Sequence, residues 1–435
     1  MTSPPQRARF CNLDQVMPAL GQSVSCPKIS KLAPGRLGAQ AWPGRAEWLD
    51  LPVVPPYEHA MILYPAEFDA RKKALFAALA RADGGGQRLW TIPWSWRDFP
   101  ETEARVSQCL RRAKHQPQGL VRRLKAWLIR LQYNGARRLF ARYPGAVAVA
   151  WNGTGGSRRA FLMAARDSGL GILACELAPI PGRITLDPMG VNAESSVVGV
   201  DVSGCDADEG WRSMGEGLVA RPSRRGDVAQ AGGVPDGTYL FCPLQVPSDS
   251  QVTLFAGWTG GMSGFLAALA KAATHLPQGW HLRLKEHPSA RQSLAQALAP
   301  LLATGRVVLD NASDSFAQIQ GCRGLVTLNS SMGLQAFFHD KPVVVLGRAF
   351  FARQGLVEVV GDQTQLNFLF ARADSLRFEP VQRAKFMNWL DQTYYPHFKF
   401  PPGEADLSAF AEKLLEARKF VANAASTLST PTPLR

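Results

Sequence analysis

Short apolar runs alternate along most of the chain with longer stretches of helical period. Ala60–Tyr64, Arg88–Ile92, Ala146–Trp151 and Gly171–Cys175 read as strands, with helices over 66–81 and 160–168 and a long helical region ahead of Ala146. A second series has strands at 239–243, 281–285, 307–309, 324–328 and 342–346. Helices near 262–275, 292–303 and 331–339 and a short segment at 315–321 alternate with them. Alternation of this kind predicts parallel sheets with crossover helices, and two successive series predict an α/β chain of two Rossmann-like halves facing a cleft. Between the series, residues 221–237 turn polar and rich in Gly and Pro, as a linker does. The expected organisation is an irregular Pro- and Gly-rich leader over 1–55 packed on the first domain, a first half over 56–225 and a second over 238–400. A C-terminal helix over 401–423 and a disordered tail over 424–435 complete it.

Composition narrows the class. A chain of 435 residues, 46% hydrophobic and 19% charged, can bury a sizeable core and suits two domains. No uncharged apolar run reaches the roughly 18 residues of a membrane span, and Arg7, Arg9 and Asp14 interrupt any signal-like start, so a cytoplasmic location is expected. The seven cysteines are scattered without a CxxC pair, which points to reduced thiols and away from a zinc site.

The net charge of +14 calls for an anionic partner. It is concentrated between Ala104 and Gly145, where there is no acidic residue and where Arg122, Arg123, Lys125 and Arg130 accompany Leu120, Leu124, Trp127, Leu128, Leu131 and Leu139 at helical spacing. Two readings fit: a basic amphipathic helix lying on anionic lipid, or a surface helix with its apolar stripe in the core. Aromatic residues are not interleaved as in a base-stacking platform, so nucleic acid is not an expected partner.

The candidate chemistry sits where strands end and helices begin, the place where exposed N–H groups favour an anion. Asn329, Ser330 and Ser331 follow the strand 324–328 as a turn and cap, and Gly333 would let the backbone approach a ligand. Lys285-Glu286-His287-Pro288 ends another strand: proline fixes the turn, Lys285 could neutralise a phosphate, and His287 could donate to it or to a sugar carboxylate. After 239–243 come Gln245, able to hold a hydroxyl or carboxylate, and Asp249, able to act as nucleophile, base or helix cap. In the first half, Asn152 ends one strand, while Glu176 and, further on, Asp187 and Asn192 follow another. Glu176 and Asp187 are carboxylates suited to acid/base work or to holding a turn. No HxxxH pair, DxD pair at a strand end or GxSxG elbow occurs, so neither a metal nor serine hydrolysis is expected.

In order along the chain, Trp151-Asn152-Gly153, Glu176 with Asp187-Pro188-Met189-Gly190-Val191-Asn192, Gln245-Val246-Pro247-Ser248-Asp249-Ser250-Gln251, Lys285-Glu286-His287-Pro288 and Asn329-Ser330-Ser331-Met332-Gly333-Leu334 followed by Lys341–Gly347 resemble the capsule polysaccharide biosynthesis family, which includes bacterial β-Kdo transferases. The resemblance spans roughly residues 145–352. It implies a GT-B glycosyltransferase that uses CMP-Kdo without a required metal or other cofactor and transfers Kdo, or a related acidic sugar, to a lipid-linked or oligosaccharide acceptor. It implies that His287 and the turn Asn329–Gly333 bind CMP, and that Gln245, Asp249 and Glu176 flank the sugar. A β-linked product from a β-configured donor means net retention, reached by two displacements if Asp249 is the nucleophile and Glu176 the acceptor-side base. The expected place of work is the inner face of the cytoplasmic membrane, among other capsule assembly proteins. Two alternatives remain: a GT-B enzyme with a different nucleotide-sugar donor, and a non-catalytic polysaccharide assembly or export protein.

Overall fold

The computed structural model describes residues 61–429, except 114, 115, 224, 232, 234, 235 and 292, and without the side chains of 422–429. The expected leader over 1–55 and residues 430–435 lie outside the described residues.

The first sheet is built from β1 (Ile62–Pro65), β2 (Gly86–Leu89), β3 (Val147–Trp151), β4 (Gly171–Leu177) and β5 (Ile184–Asp187), in the order β2-β1-β3-β4-β5. The first four strands are parallel and β5 is antiparallel to β4. Helices α1 (Ala70–Ala82), α2 (Thr102–Arg111), α3 (Gly119–Phe140) and α4 (Gly156–Asp167) connect them. Asp69 starts α1 by accepting from the amides of Arg71 and Lys72, which supplies partners for otherwise orphaned donors. The strands read as continuous apolar runs because both faces are covered. Ala148 and Ala150 face the core around α3 and α4, and Val147 and Val149 face Leu75, Phe76 and Leu79 of α1.

The second sheet contains β6 (Thr238–Pro243), β7 (Trp280–Lys285), β8 (Val307–Leu309), β9 (Gly324–Thr327), β10 (Val343–Val345) and β11 (Glu358–Val359), all parallel, in the order β11-β10-β9-β6-β7-β8. It carries α5 (Ser250–Phe255), α6 (Met262–Ala273), α7 (Ala295–Leu302), α8 (Ser315–Gly321), α9 (Met332–Gln335), α10 (Gln363–Ala371) and α11 (Pro380–Trp389). This order is that of a doubly wound dinucleotide-type domain, in which strand order reverses between β6 and β9. A crevice opens there beyond the strands' C-terminal ends. With both sheets opening on one cleft, the chain has the GT-B arrangement.

Three features were not read from the sequence. The antiparallel β5 lies in a stretch read as a turn-rich loop, and β11 has only two residues, too short for a periodicity signal. The linker is stitched to the second half: the amides of Ala229 and Ala231 donate to the carbonyls of Asn311 and Ala312, and Arg225 pairs with Glu286. The last helix, α12 (Glu404–Ser429), includes residues 424–429 that were expected to be tail, and the alanine-rich run from 422 to 425 favours that continuation. It returns to the first half, where Phe410, Leu414 and Ala417 pack with Leu75, Phe76 and Leu79. Its approach is so close that a Cβ on Gly171 would lie 2.6 Å from the Ala417 carbonyl oxygen. The crossing segment adds to the edge of the first sheet, with Phe398 N donating to Gly182 O (2.8 Å) and Ile184 N to Pro396 O (3.2 Å).

Candidate active site

Both sheets present the C-terminal ends of their strands to the cleft, so the loops after β3, β4, β6, β7 and β9 meet there. A single cavity is lined from the first half by Glu176 and Asn192 and from the second by Gln245, Asp249, His287, Asn329, Ser330 and Ser331. A contiguous pocket takes in Arg221, Lys285, His287, Pro288, Ser330 and Ser331.

At the reversal point, Gln245 after β6 and Asn329 after β9 bind one another. The Gln245 side-chain amide donates to Asn329 Oδ1 (2.9 Å) and its Oε1 accepts from Asn329 N (3.2 Å). Asn329 Nδ2 donates to the carbonyls of Gln251 (2.8 Å) and Phe255 (3.0 Å), so both its amide hydrogens are committed. The pair therefore braces the two loops and fixes the width of the crevice, where Asn329 was expected to hold nucleotide. Asp249 caps α5 through Oδ1, which accepts from Gln251 N at 2.9 Å. Its Oδ2 has no protein hydrogen-bond partner among the described residues, and the side chain lines the cavity.

Two further expectations from the sequence, for Lys285 and Gly333, are corrected. Lys285 is buried, and its ammonium donates to the carbonyls of Ala229 (2.7 Å), Asn311 (3.2 Å) and Ser313 (2.7 Å). An ammonium has three donors, so Lys285 holds the linker to the second half and has none left for a phosphate. Glu286 beside it is equally committed, to Arg225, Asn311 and Ser293. Gly333, expected to admit a ligand, instead admits the ring of Phe351. A Cβ at Gly333 would sit 2.8 Å from Phe351 Cζ and 3.4 Å from Thr327 Cγ2.

The remaining donors point to an anion. His287 Nδ1 accepts from Ser289 N at 3.0 Å, which leaves the proton of the neutral ring on Nε2. Burial, then the neighbouring Arg221, push the His287 pKa below the usual histidine value, so the ring stays neutral. Ser330 Oγ accepts from Met332 N (3.2 Å), while the Ser331 side chain makes no capping bond at α9. Arg221, exposed at the start of the linker, lines both cavities, and its guanidinium has no ion pair among the described residues. It faces the cavities as a cation where Lys285 is committed elsewhere. Nothing in the Gly- and Pro-rich stretch around it marked it out, because its relevance comes from where the linker packs.

In the first half, Glu176 near the end of β4 is held between two asparagines. Asn152 Nδ2 donates to Oε1 (3.2 Å) and Asn192 Nδ2 to Oε2 (2.9 Å). Both asparagines have left-handed backbones, with φ of 64° and 54°, a conformation that asparagine tolerates better than most residues. Burial is the largest influence on Glu176 and pushes its pKa up to about 7. The charge of Asp249 across the cleft adds to the rise, and the two amides oppose it. Asp187, by contrast, is fully buried and has no capacity left for chemistry. Its oxygens accept from the amides of Met189 (2.7 Å), Gly190 (3.0 Å) and Ser196 (2.9 Å), the Ser196 hydroxyl (2.7 Å) and the Tyr394 hydroxyl (2.9 Å). The last bond ties the halves together. Asp187→Ala is expected to cost about 3 kcal/mol or more, because it strands several buried donors. Chemical denaturation measures this, and an unchanged midpoint would refute the structural role.

The basic helix has its apolar stripe in the core along only part of its length. In α3 the second half, with Ile129, Leu131, Tyr133, Ala136 and Phe140, is core, while Leu120, Leu124 and Trp127 of the first half are exposed. Arg130 is ion-paired with Asp98 and Glu103, and Arg137 with Glu101 (3.7 Å). Arg122, Arg123 and Lys125 have no ion pair among the described residues. Among those residues no helix is long and apolar enough to cross a membrane.

Comparison with known proteins finds similarity to one family over part of the chain. The family model described as "Capsule polysaccharide biosynthesis protein" matches residues 228–395, the segment that supplies the second half of the cleft. The chain is 31% identical over 245 residues to Protein FixF of Sinorhizobium fredii, covering 54% of this chain and 56% of FixF. It is 31% identical over 130 residues to capsule polysaccharide modification protein LipB of Neisseria meningitidis, covering 28% of this chain and 31% of LipB. The chain thus spans about half or less of the length of these curated relatives. Among solved structures, the β-Kdo 2,7 transferase KpsC of Thermosulfurimonas dismutans aligns with a TM-score of 0.47 and 14% identity, over 82% of this chain and 99% of that one.

Proposed function

We propose, from the match of residues 228–395 to the capsule polysaccharide biosynthesis family, that the chain is a glycosyltransferase that moves Kdo, or a related acidic sugar, from a CMP-activated donor to a lipid-linked glycan acceptor. The observation that carries this reading is the convergence of Glu176 from one half and Asp249 from the other on a single cavity, beside the neutral His287 and Arg221, which has no ion pair among the described residues.

The residues divide the chemistry as follows. The phosphate of the donor lies against Arg221, His287 Nε2–H and the Ser330–Ser331 turn, which stabilise the charge that develops as CMP leaves. Asp249 Oδ2 attacks the anomeric carbon, the bond to the phosphate oxygen breaks, and the sugar is held as an ester of Asp249. The acceptor hydroxyl then gives its proton to Glu176 and attacks the same carbon, releasing Asp249. Two inversions give net retention. No step calls on a metal ion. The acidic sugar in this reading rests on the sequence resemblance. The acceptor's lipid places the work at an anionic inner-membrane surface, alongside other capsule assembly proteins.

The test is incubation of the purified chain with CMP-Kdo and lipid or Kdo-terminated acceptors, with product mass and anomeric configuration recorded, together with calorimetric titration of CMP, UDP and GDP. CMP is expected to bind at least about tenfold more tightly than the others, equal to about 1.4 kcal/mol. Preference for UDP would move the assignment to another donor. Nucleotide binding without turnover on any acceptor would favour an assembly or export role.

A further inference from the structure

The loop after β2 carries tryptophans that the fold does not bury. Trp94 is 61% and Trp96 75% exposed, and both rings lean on Trp127 of α3, with centroids 6.2 and 5.5 Å away. Beside them Leu120, Val121 and Leu124 are 69%, 64% and 58% exposed. The loop is held in place. Ser95 N donates to Leu131 O (3.1 Å), and Gly135 is required because a Cβ there would fall 1.9 Å from Pro93 O. The loop therefore runs back along α3 toward the helix start and delivers its rings to an apolar stretch of α3 that is left exposed among the described residues.

Topology fixes where this patch faces. The loop leaves β2 at its C-terminal end, and β2 is parallel to β1, β3 and β4, so it emerges at the same edge of the sheet as Asn152 and Glu176. Helix α3 leads back to the start of β3 at the opposite edge, which puts its first turns at the cleft edge as well. The charges around the patch that lack a partner among the described residues are positive. Arg122, Arg123 and Lys125 are unpaired among the described residues, whereas the nearby acids Asp98, Glu101 and Glu103 are each ion-paired, the first and last with Arg130 and Glu101 with Arg137.

We infer that Trp94, Trp96 and Trp127 with the first turns of α3 form an interfacial anchor that docks on an anionic phospholipid bilayer, with the acceptor side of the cleft turned toward the lipid. Indole rings favour the headgroup region because they are apolar with one polar N–H, and the flanking cations complement anionic headgroups. For the orientation toward an acceptor the inference rests on the glycosyltransferase reading. The docking itself does not.

The experiment is flotation of the full chain with phosphatidylcholine vesicles, with and without phosphatidylglycerol, at low and high salt. The unmodified chain is expected to bind the anionic vesicles. Trp94→Ser with Trp96→Ser is expected to weaken binding about tenfold or more at unchanged melting temperature. Arg122→Glu, Arg123→Glu and Lys125→Glu together should abolish the preference for phosphatidylglycerol and its salt sensitivity. Equal binding by the tryptophan variant would overturn the anchor. So would failure of the unmodified chain to bind vesicles, and a dimer lost in that variant would then identify a second copy as the occupant. Transfer to a water-soluble acceptor should be unaffected in the tryptophan variant. If vesicles bind through the tryptophans but no sugar is transferred, the anchor stands and the catalytic reading falls.

Discussion

Asp249→Asn is expected to fold normally and to lose transfer from CMP-Kdo by a factor on the order of 10³ or more, as removal of a covalent nucleophile does. The substitution is informative because Asp249 has two tasks on two atoms. Oδ1 caps α5 by accepting from Gln251 N, and an asparagine side-chain oxygen caps a helix about as well as aspartate. Only the carboxylate charge facing the cleft is lost. Thermal melting within a degree or two of the parent, with turnover gone, separates chemistry from folding. Near-normal transfer by the folded variant would end the case for a glycosyl ester on Asp249. Mass spectrometry of the unmodified chain mixed with donor in the absence of acceptor should show the mass of one sugar added to the peptide containing Asp249.

The second large effect is a pH dependence set by Glu176. As a base it must be ionised, and burial pushes its pKa up to about 7. Below that value it carries a proton and cannot accept one, so kcat/KM should rise with pH through about 7. With an ordinary carboxylate pKa the profile would already be level there. Asn192 donates to the carboxylate and so favours the charged form. Asn192→Gly keeps access to the left-handed backbone at φ 54° while removing the amide. Its expected result is a further rise of the Glu176 pKa, which displaces the acid limb to higher pH. Glu176→Gln should lower turnover by about 10² to 10⁴ and remove the limb altogether. A profile that keeps its limb in Glu176→Gln would assign the titration to another group.

The architecture was readable because local signals agreed. Continuous apolar strands, helical stretches between them and turn residues at the strand ends give two β/α series, and parallel crossover geometry leaves few ways to assemble them. The same logic put Gln245, Asp249, His287 and Asn329 at strand ends, hence in the cleft, without any side-chain detail. Lys285 shows where that logic stops. A lysine after a parallel strand is at the right place for a phosphate, yet its ammonium turns to three carbonyls, one of which belongs to the linker. Gly333 is similar, since the residue it makes room for, Phe351, arrives from a later loop. Arg221 is the converse case: an unremarkable linker residue that packing brings to both pockets.

The sequence by itself therefore determined the α/β class, two halves, strand-end placement of the chemistry and the family resemblance, because these depend on period, caps and turn residues within short windows. Tertiary structure alone decided which of those groups are free to act. It closed Lys285 and Asp187, left Glu176 with its pKa raised between two asparagines, brought α12 back across the first half and left the start of α3 bare beside Trp94 and Trp96. Each of these outcomes turns on donors, acceptors and apolar surface supplied from far along the chain, and no local pattern records which distant neighbour will satisfy a buried group.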